Sequence, residues 1–337
     1  MELVNRTQFA VQRLLTVDIK AAEVLAVVVK ATFDIAPDGS LKLAEEQQPV
    51  VLADEFLGEP GKSSIFKASD IHPEKPGCDL VLRGTVRTGR PVLAAGVNFS
   101  VGSISKTVQV FGDRRWYLRM GFSRISDPQP FEQMPLIWEN AYGGWDLTAK
   151  DESKHACAVY NPVGRGFRSK KSKMPVSDEL LPNIENPEDL INSPKDQPTP
   201  VGFGFIGRDW FPRVGFAGTY DDDWQANRMP LLPDDFDPRY FDRAAPGLVL
   251  PTPPVAGTPV VVRGMNAGND LKFALPEVSV SAQVLFQDEK SPVDFRLHTL
   301  LVDSDAQQLQ LTYGASQYVH GRVDNVAAII VRGGCEL

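Results

Sequence analysis

The chain alternates hydrophobic and polar positions at both ends and loses that rhythm in the middle. Over residues 24–35, Val27, Val29, Ala31, Phe33 and Ile35 fall on one side of an extended segment, and Lys30, Thr32 and Asp34 on the other. Successive side chains of a strand point to opposite faces, so this period of two predicts a half-buried strand. Pro37, Asp38 and Gly39 predict a turn, because Pro presets φ and Gly accepts a positive φ. Residues 41–52 then read as the returning strand. The run 79–87 alternates again, with Leu80, Leu82 and Val86 on one side. Turns at 88–90 and at Gly102 and Ser103 lead to strands over 92–101 and 104–111. Successive hairpins of this kind predict an antiparallel meander or sandwich.

The C-terminal part has the same style. Residues 259–265 and 271–275 flank Ala267, Gly268, Asn269 and Asp270, a hairpin signal. Val278, Val280, Ala282, Val284 and Phe286 alternate. So do Phe295, Leu297, Thr299 and Leu301, and, after a turn at 303–306, Leu309, Leu311 and Tyr313.

The middle differs, since residues 126–254 hold 18 of the 27 prolines and four of the five tryptophans. One short helix is expected over 221–228, with Thr219 and Asp222 as a capping box and Pro230 as its stop. A helical turn capped by Asn186 is expected at 187–191. The aromatic content argues against disorder, so the segment reads as ordered irregular structure packed on the sheets. The expected fold is mainly β: antiparallel β-sandwich-like sheets from an N-terminal segment, 1–125, and a C-terminal segment, 255–337. The middle, 126–254, is long, Pro-rich and irregular, with a few short helices. Two lobes and one continuous domain are both compatible with this pattern.

The formal net charge of the 337 residues is −8. Phosphate contacts dominate nucleic-acid affinity, so an acidic balance argues against that partner. Cys78, Cys157 and Cys335 lie far apart and have no metal or redox spacing, which suits a reducing compartment. The first residues lack the charged-then-apolar layout of a signal peptide, and no run of 18 apolar residues predicts a membrane span. These features lead to the expectation of a cytoplasmic protein.

Chemical signatures are sparse. Residues 58–64 (GEPGKSS) look like the end of a P-loop, but the first glycine that motif needs falls at Phe56, and no helix pattern follows. A structured turn with Lys62 exposed or ion-paired is expected there. In 161–167 (NPVGRGF), Arg165 stands between two glycines. Arg168, Lys170, Lys171 and Lys173 follow, giving five positive charges in nine residues. That patch could hold an anion bidentately, dock a protein, or be a solvated loop on plain scaffold. Residues 111–116 (FGDRRW) end one strand and start another and read as a structural corner, in which an Arg could stack on Trp116 and Asp113 could pair with either Arg. The histidines His72, His155, His298 and His320 have no metal-binding spacing, and no nucleophile elbow occurs. No catalytic residue, cofactor or metal site is therefore expected. The aromatic run 131–145 reads as mostly buried, a lid over the sheet. Of the aromatics, Trp138, Tyr142, Trp145 and Trp210 are the expected apolar anchors for a partner where exposed, because aromatic side chains dominate interface energetics, and behave as core where buried. Arg165 and Arg168 are the expected steering charges, and their replacement by Glu is expected to weaken binding without unfolding.

At these motifs the chain resembles a bacterial family, the domain of unknown function 2169. The resemblance rests on 58–64, 111–116, 131–144 (FEQMPLIWENAYGG), 161–167, 181–185 (LPNIE), 217–224 (AGTYDDDW) and 230–241 (PLLPDDFDPRYF). The opening 2–10 and the strand 27–35 fit as well. The family is encoded beside type VI secretion genes. The resemblance therefore implies a non-catalytic effector adaptor or chaperone that binds a toxic effector in the cytoplasm and helps load it onto the VgrG/PAAR spike. A hydrolase built from scattered carboxylates and Arg165, and a carbohydrate-binding sandwich using the tryptophans, are the alternatives.

Overall fold

A computed structural model describes residues 1–72, 74–172 and 176–336. Strand outweighs helix by 45% to 7%, so the protein is mainly β. Three sheets carry the fold. The first has the strand order Val249–Leu250, Cys78–Arg83, Arg296–Asp303, Gln308–Tyr318, Glu23–Ile35, Ala10–Val17, with Leu41–Leu43 also paired to Glu23–Ile35. The second runs Phe131–Pro135, Thr85–Val92, Pro259–Asn266, Ala94–Val101, Ile104–Phe111, Ile184–Glu185, with Asn269–Ala274 on Pro259–Asn266. The third is Glu2–Arg6, Val326–Glu336, Glu277–Phe286, Lys290–Val293. Most pairings are antiparallel. Glu2–Arg6 with Val326–Glu336 and Cys78–Arg83 with Arg296–Asp303 are parallel.

Strands from the two ends of the chain alternate within the sheets. Gln308–Tyr318 lies between Arg296–Asp303 and Glu23–Ile35, with eleven residue pairs in register against the latter. Pro259–Asn266 separates Thr85–Val92 from Ala94–Val101, which are neighbours in sequence. One hydrophobic core joins all three sheets and takes in Trp138, Phe203, Phe205, Trp210 and Leu248 from the middle. The segments 1–125 and 255–337 thus share a core.

Glu23–Ile35 departs from the half-buried strand expected. Leu25, Val27, Val29, Ala31 and Phe33 enter the main core, but the opposite face is covered too. Residues 41–52 do not return as one strand, because only Leu41–Leu43 pairs. The remainder roofs that second face. Gln47 brackets Thr32, accepting from its amide (2.8 Å) and donating to its carbonyl (3.0 Å). Lys30 reaches Asp70 at 2.5 Å. Polar groups tolerate burial when paired in this way.

The run 79–87 is two strands in different sheets. The corner is Gly84, at φ +149°, where a Cβ would stand 2.0 Å from Ser304 Oγ. Leu80, Leu82 and Val86 still share the core. The turn expected at 88–90 is instead a bulge within Thr85–Val92. In the middle, the helix is Asp222–Asn227 and its cap is Asp221, whose carboxylate accepts from Trp224 N at 2.9 Å. Thr219 does not cap it, because its amide and hydroxyl bind Asp235. Residues 187–191 make a single turn closed by Asp189 N on Asn186 O, and no helix.

Candidate functional site

The glycine-flanked Arg165 organises the interior. Its Nε donates to Glu139 O (2.9 Å) and an NH2 group to Asn140 Oδ1 (2.6 Å). Asn161, fully buried, donates to Trp138 O and Tyr142 O, both at 2.9 Å. Residues 138–144 and 161–166 therefore form one hydrogen-bonded block, with Gly143 and Gly164 packed so closely that a Cβ on either would strike Asn161. Burial holds the Arg165 guanidinium below its usual pKa, opposed by the charges of Asp113 and Glu139.

Against this block lies an apolar cavity of about 200 Å³ bounded by Leu57, Ile65, Val81, Leu136, Trp138 and Phe205. Ser64, at the end of the GEPGKSS turn, donates its amide and hydroxyl to the Glu139 carboxylate and so fixes one wall. Lys62 is exposed and paired with Glu59 at 3.0 Å.

A separate hairpin, Trp116–Arg119 with Phe122–Ile125, projects from a second, smaller core. Trp116 and Ile125 face inward onto Tyr142, Leu181 and Ile191. The base is tied by Trp116 N to Glu179 O (3.0 Å), Asp178 N to Trp116 O (2.7 Å) and Ser123 Oγ to Val176 O (3.2 Å). Two strands alone are marginal in water, so these ties carry the hairpin. At its tip Met120 (φ +51°) and Gly121 (φ +80°) both take left-handed backbone, as a two-residue hairpin loop demands. Met120 is 88% exposed and Phe122 is 67% exposed. A left-handed non-glycine residue costs about 1–2 kcal/mol, and at Met120 no packing offsets it.

Beside the hairpin opens a cleft of about 690 Å³ whose lining includes Arg124, Arg168, Lys170 and Lys195 and, among the described residues, no carboxylate. Arg168 is buried and bound to Glu179 through both ends of its guanidinium. Lys173, grouped with these charges in the sequence, lies outside the described residues.

Buried charge concentrates elsewhere, where the segment around residue 242 meets the strand Cys78–Arg83. Asp79 accepts from Lys75 Nζ (2.8 Å), from Arg243 N (3.0 Å) and from Ala244 N (3.0 Å). Lys75 also donates to Asp242 (3.1 Å), and Arg243 to Asp54 (2.9 Å). His72 Nδ1 lies 3.3 Å from the Arg243 guanidinium. Burial, then the charges of Arg243 and Lys75, drive the His72 pKa well below the usual value. Burial, with Lys75 and Arg296, takes His298 to about 3. Main-chain amides and buried cations occupy these carboxylates, so the cluster clamps the middle segment onto the first sheet. Among the described residues no three His, Cys, Asp or Glu side chains gather as a metal site, and no helix is long and apolar enough to cross a membrane.

The expected anchors fall in different places. Trp138 and Trp210 are inside the main core, rings edge to face at 5.9 Å, and Tyr142 is inside the second. They are too deep to meet a partner. Trp145 is on the surface, 56% exposed. Arg165 and Arg168 are corrected from steering charges to internal ties, because their donors are engaged by Glu139, Asn140 and Glu179. Arg114 stacks on Phe111 (3.9 Å), not on Trp116, and pairs with Glu185, not Asp113. The hairpin was missed, because Met120-Gly121 is not among the usual two-residue turn signals and only the glycine between the runs 116–119 and 122–125 hints at it.

A family profile described as "Uncharacterized protein conserved in bacteria (DUF2169)" matches residues 20–314. No curated protein and no solved structure matches the chain.

Proposed function

The chain belongs to this DUF2169 family of bacterial proteins, and on that premise we propose that it is a non-catalytic adaptor of type VI secretion. In this reading it binds a toxic effector in the cytoplasm and helps load it onto the VgrG/PAAR spike. The observation that carries the reading is the Trp116–Ile125 hairpin. It holds Met120 and Phe122 in water at the end of a braced arm, where they contribute nothing to the core. Exposed apolar groups on a rigid support suit protein recognition, since burial of such side chains supplies most interface energy. Val159, Tyr160 and Phe211 form another exposed apolar group, with the Tyr160 and Phe211 rings 5.8 Å apart.

The test is co-expression with the toxin and spike proteins encoded beside it, followed by pull-down and sizing. A stoichiometric complex with raised soluble toxin supports the adaptor reading. Absence of a complex with every neighbour removes it.

A further inference from the structure

We propose that the cleft beside the hairpin binds an acidic polypeptide segment of the partner. Its carboxylates would sit on Arg124, Lys170 and Lys195 and its apolar side chains against Phe122. The proposal rests on the adaptor reading and names the chemistry that the adaptor recognises.

The cleft runs against the charge of the molecule. The chain carries a net −8, yet among the described residues four cations and no carboxylate line this cleft. Glu179 answers Arg168. Arg124, Lys170 and Lys195 are exposed, and among the described residues none has an ion-pair partner. Holding like charges together without direct ion pairs costs Coulomb energy, and an anionic ligand would relieve it. The chain as a whole is acidic, so an acidic segment meets a more favourable field at this cleft than over the molecule on average.

Hydroxyls add donors. Ser169 Oγ accepts from Lys171 N, and Ser193 Oγ from Lys195 N, both at 3.3 Å. Each O–H is left to point at a carboxylate. Phe122 lines the cleft while remaining exposed, which places an apolar contact beside the cations. A nucleic acid fits less well, because the net charge of −8 opposes a long polyanion that extends beyond the cleft.

The test uses a short fluorescent peptide of alternating Asp or Glu and Leu or Phe, titrated by anisotropy into the whole protein at low and at high salt. A single-stranded oligonucleotide of equal charge and inorganic phosphate are the comparators. The expected result is peptide binding that weakens at high salt and falls by about tenfold or more in the variant Arg124→Glu/Lys170→Glu/Lys195→Glu. All three side chains are exposed, and an unchanged melting temperature would show that the variant folds. The proposal is overturned if the peptide does not bind, if the variant binds it equally, or if the oligonucleotide or phosphate is preferred. The assay contains no toxin or spike protein, so its failure leaves the adaptor reading to the pull-down. A natural complex indifferent to the triple variant would sink the cleft and spare the adaptor.

Discussion

Ser64 gives its backbone amide (2.8 Å) and its hydroxyl (2.7 Å) to the carboxylate of Glu139. This pair joins the GEPGKSS turn to the FEQMPLIWENAYGG segment, and Arg165 holds that segment from the other side through Glu139 O. The P-loop look-alike is thus an architectural joint. Its last serine caps a carboxylate and binds no phosphate in this arrangement.

Glu139→Ala would leave both Ser64 donors unpaired where Ser64 is buried. The expected loss is about 1–3 kcal/mol of stability, read from urea unfolding, with Glu139→Gln losing less.

Asp79→Asn should cost more. The carboxylate offsets Lys75 and binds the amides of Arg243 and Ala244, and the side chains of Lys75 and Asp79 are almost wholly buried. Breaking a buried pair from one side typically costs about 3–5 kcal/mol. A smaller loss than that of Glu139→Ala would contradict the clamp described for residues 241–244.

Stability should fall on acidification below the ordinary histidine value of 6.5. His72 and His298 are both held neutral in the fold, His298 down to about 3. The unfolded chain takes up those protons first, so it binds more protons than the native state across that window. Each histidine contributes a slope of up to about 1.4 kcal/mol per pH unit. Asp242, raised by burial, opposes this as the pH falls toward its ordinary 3.8, where the native state takes up its proton first. Unfolding midpoints in urea across this range would show the decline, and His298→Asn should make it shallower.

Met120→Asp and Phe122→Asp should leave the melting temperature unchanged and remove partner capture in the pull-down, because both side chains are exposed. Arg165→Glu should do the reverse of what its position in a basic run suggests and lower the melting temperature, since it would set a carboxylate against Glu139 O and Asn140 Oδ1.

The strands were legible wherever one face is buried and the other wet. Ile104–Phe111 and Glu277–Phe286 follow the alternation closely. Glu23–Ile35 was legible as a strand but not as a central one, because Lys30 and Thr32 look like solvent-facing residues until Asp70 and Gln47 cover them. The sheet order was hidden, since local pattern carries no information on which distant strand pairs with which. The surface was the least legible. Exposure of an aromatic depends on what folds over it, so Trp138 and Trp145, seven positions apart, end on opposite sides of that boundary. Charges have the same ambiguity: Arg168 and Lys170 are neighbours in one basic run, and only Arg168 has an acid waiting for it.

The insertion of Gln308–Tyr318 beside Glu23–Ile35 also orders events on the ribosome. When Glu23–Ile35 emerges it can pair with Ala10–Val17, yet its other edge has no partner until almost three hundred further residues have been translated. A long apolar strand with an open edge is the feature that makes nascent chains associate wrongly. The first sheet therefore cannot close until Gln308–Tyr318 has been made. Chain synthesis in the presence of holdase chaperones should raise the folded yield more than slowed translation does.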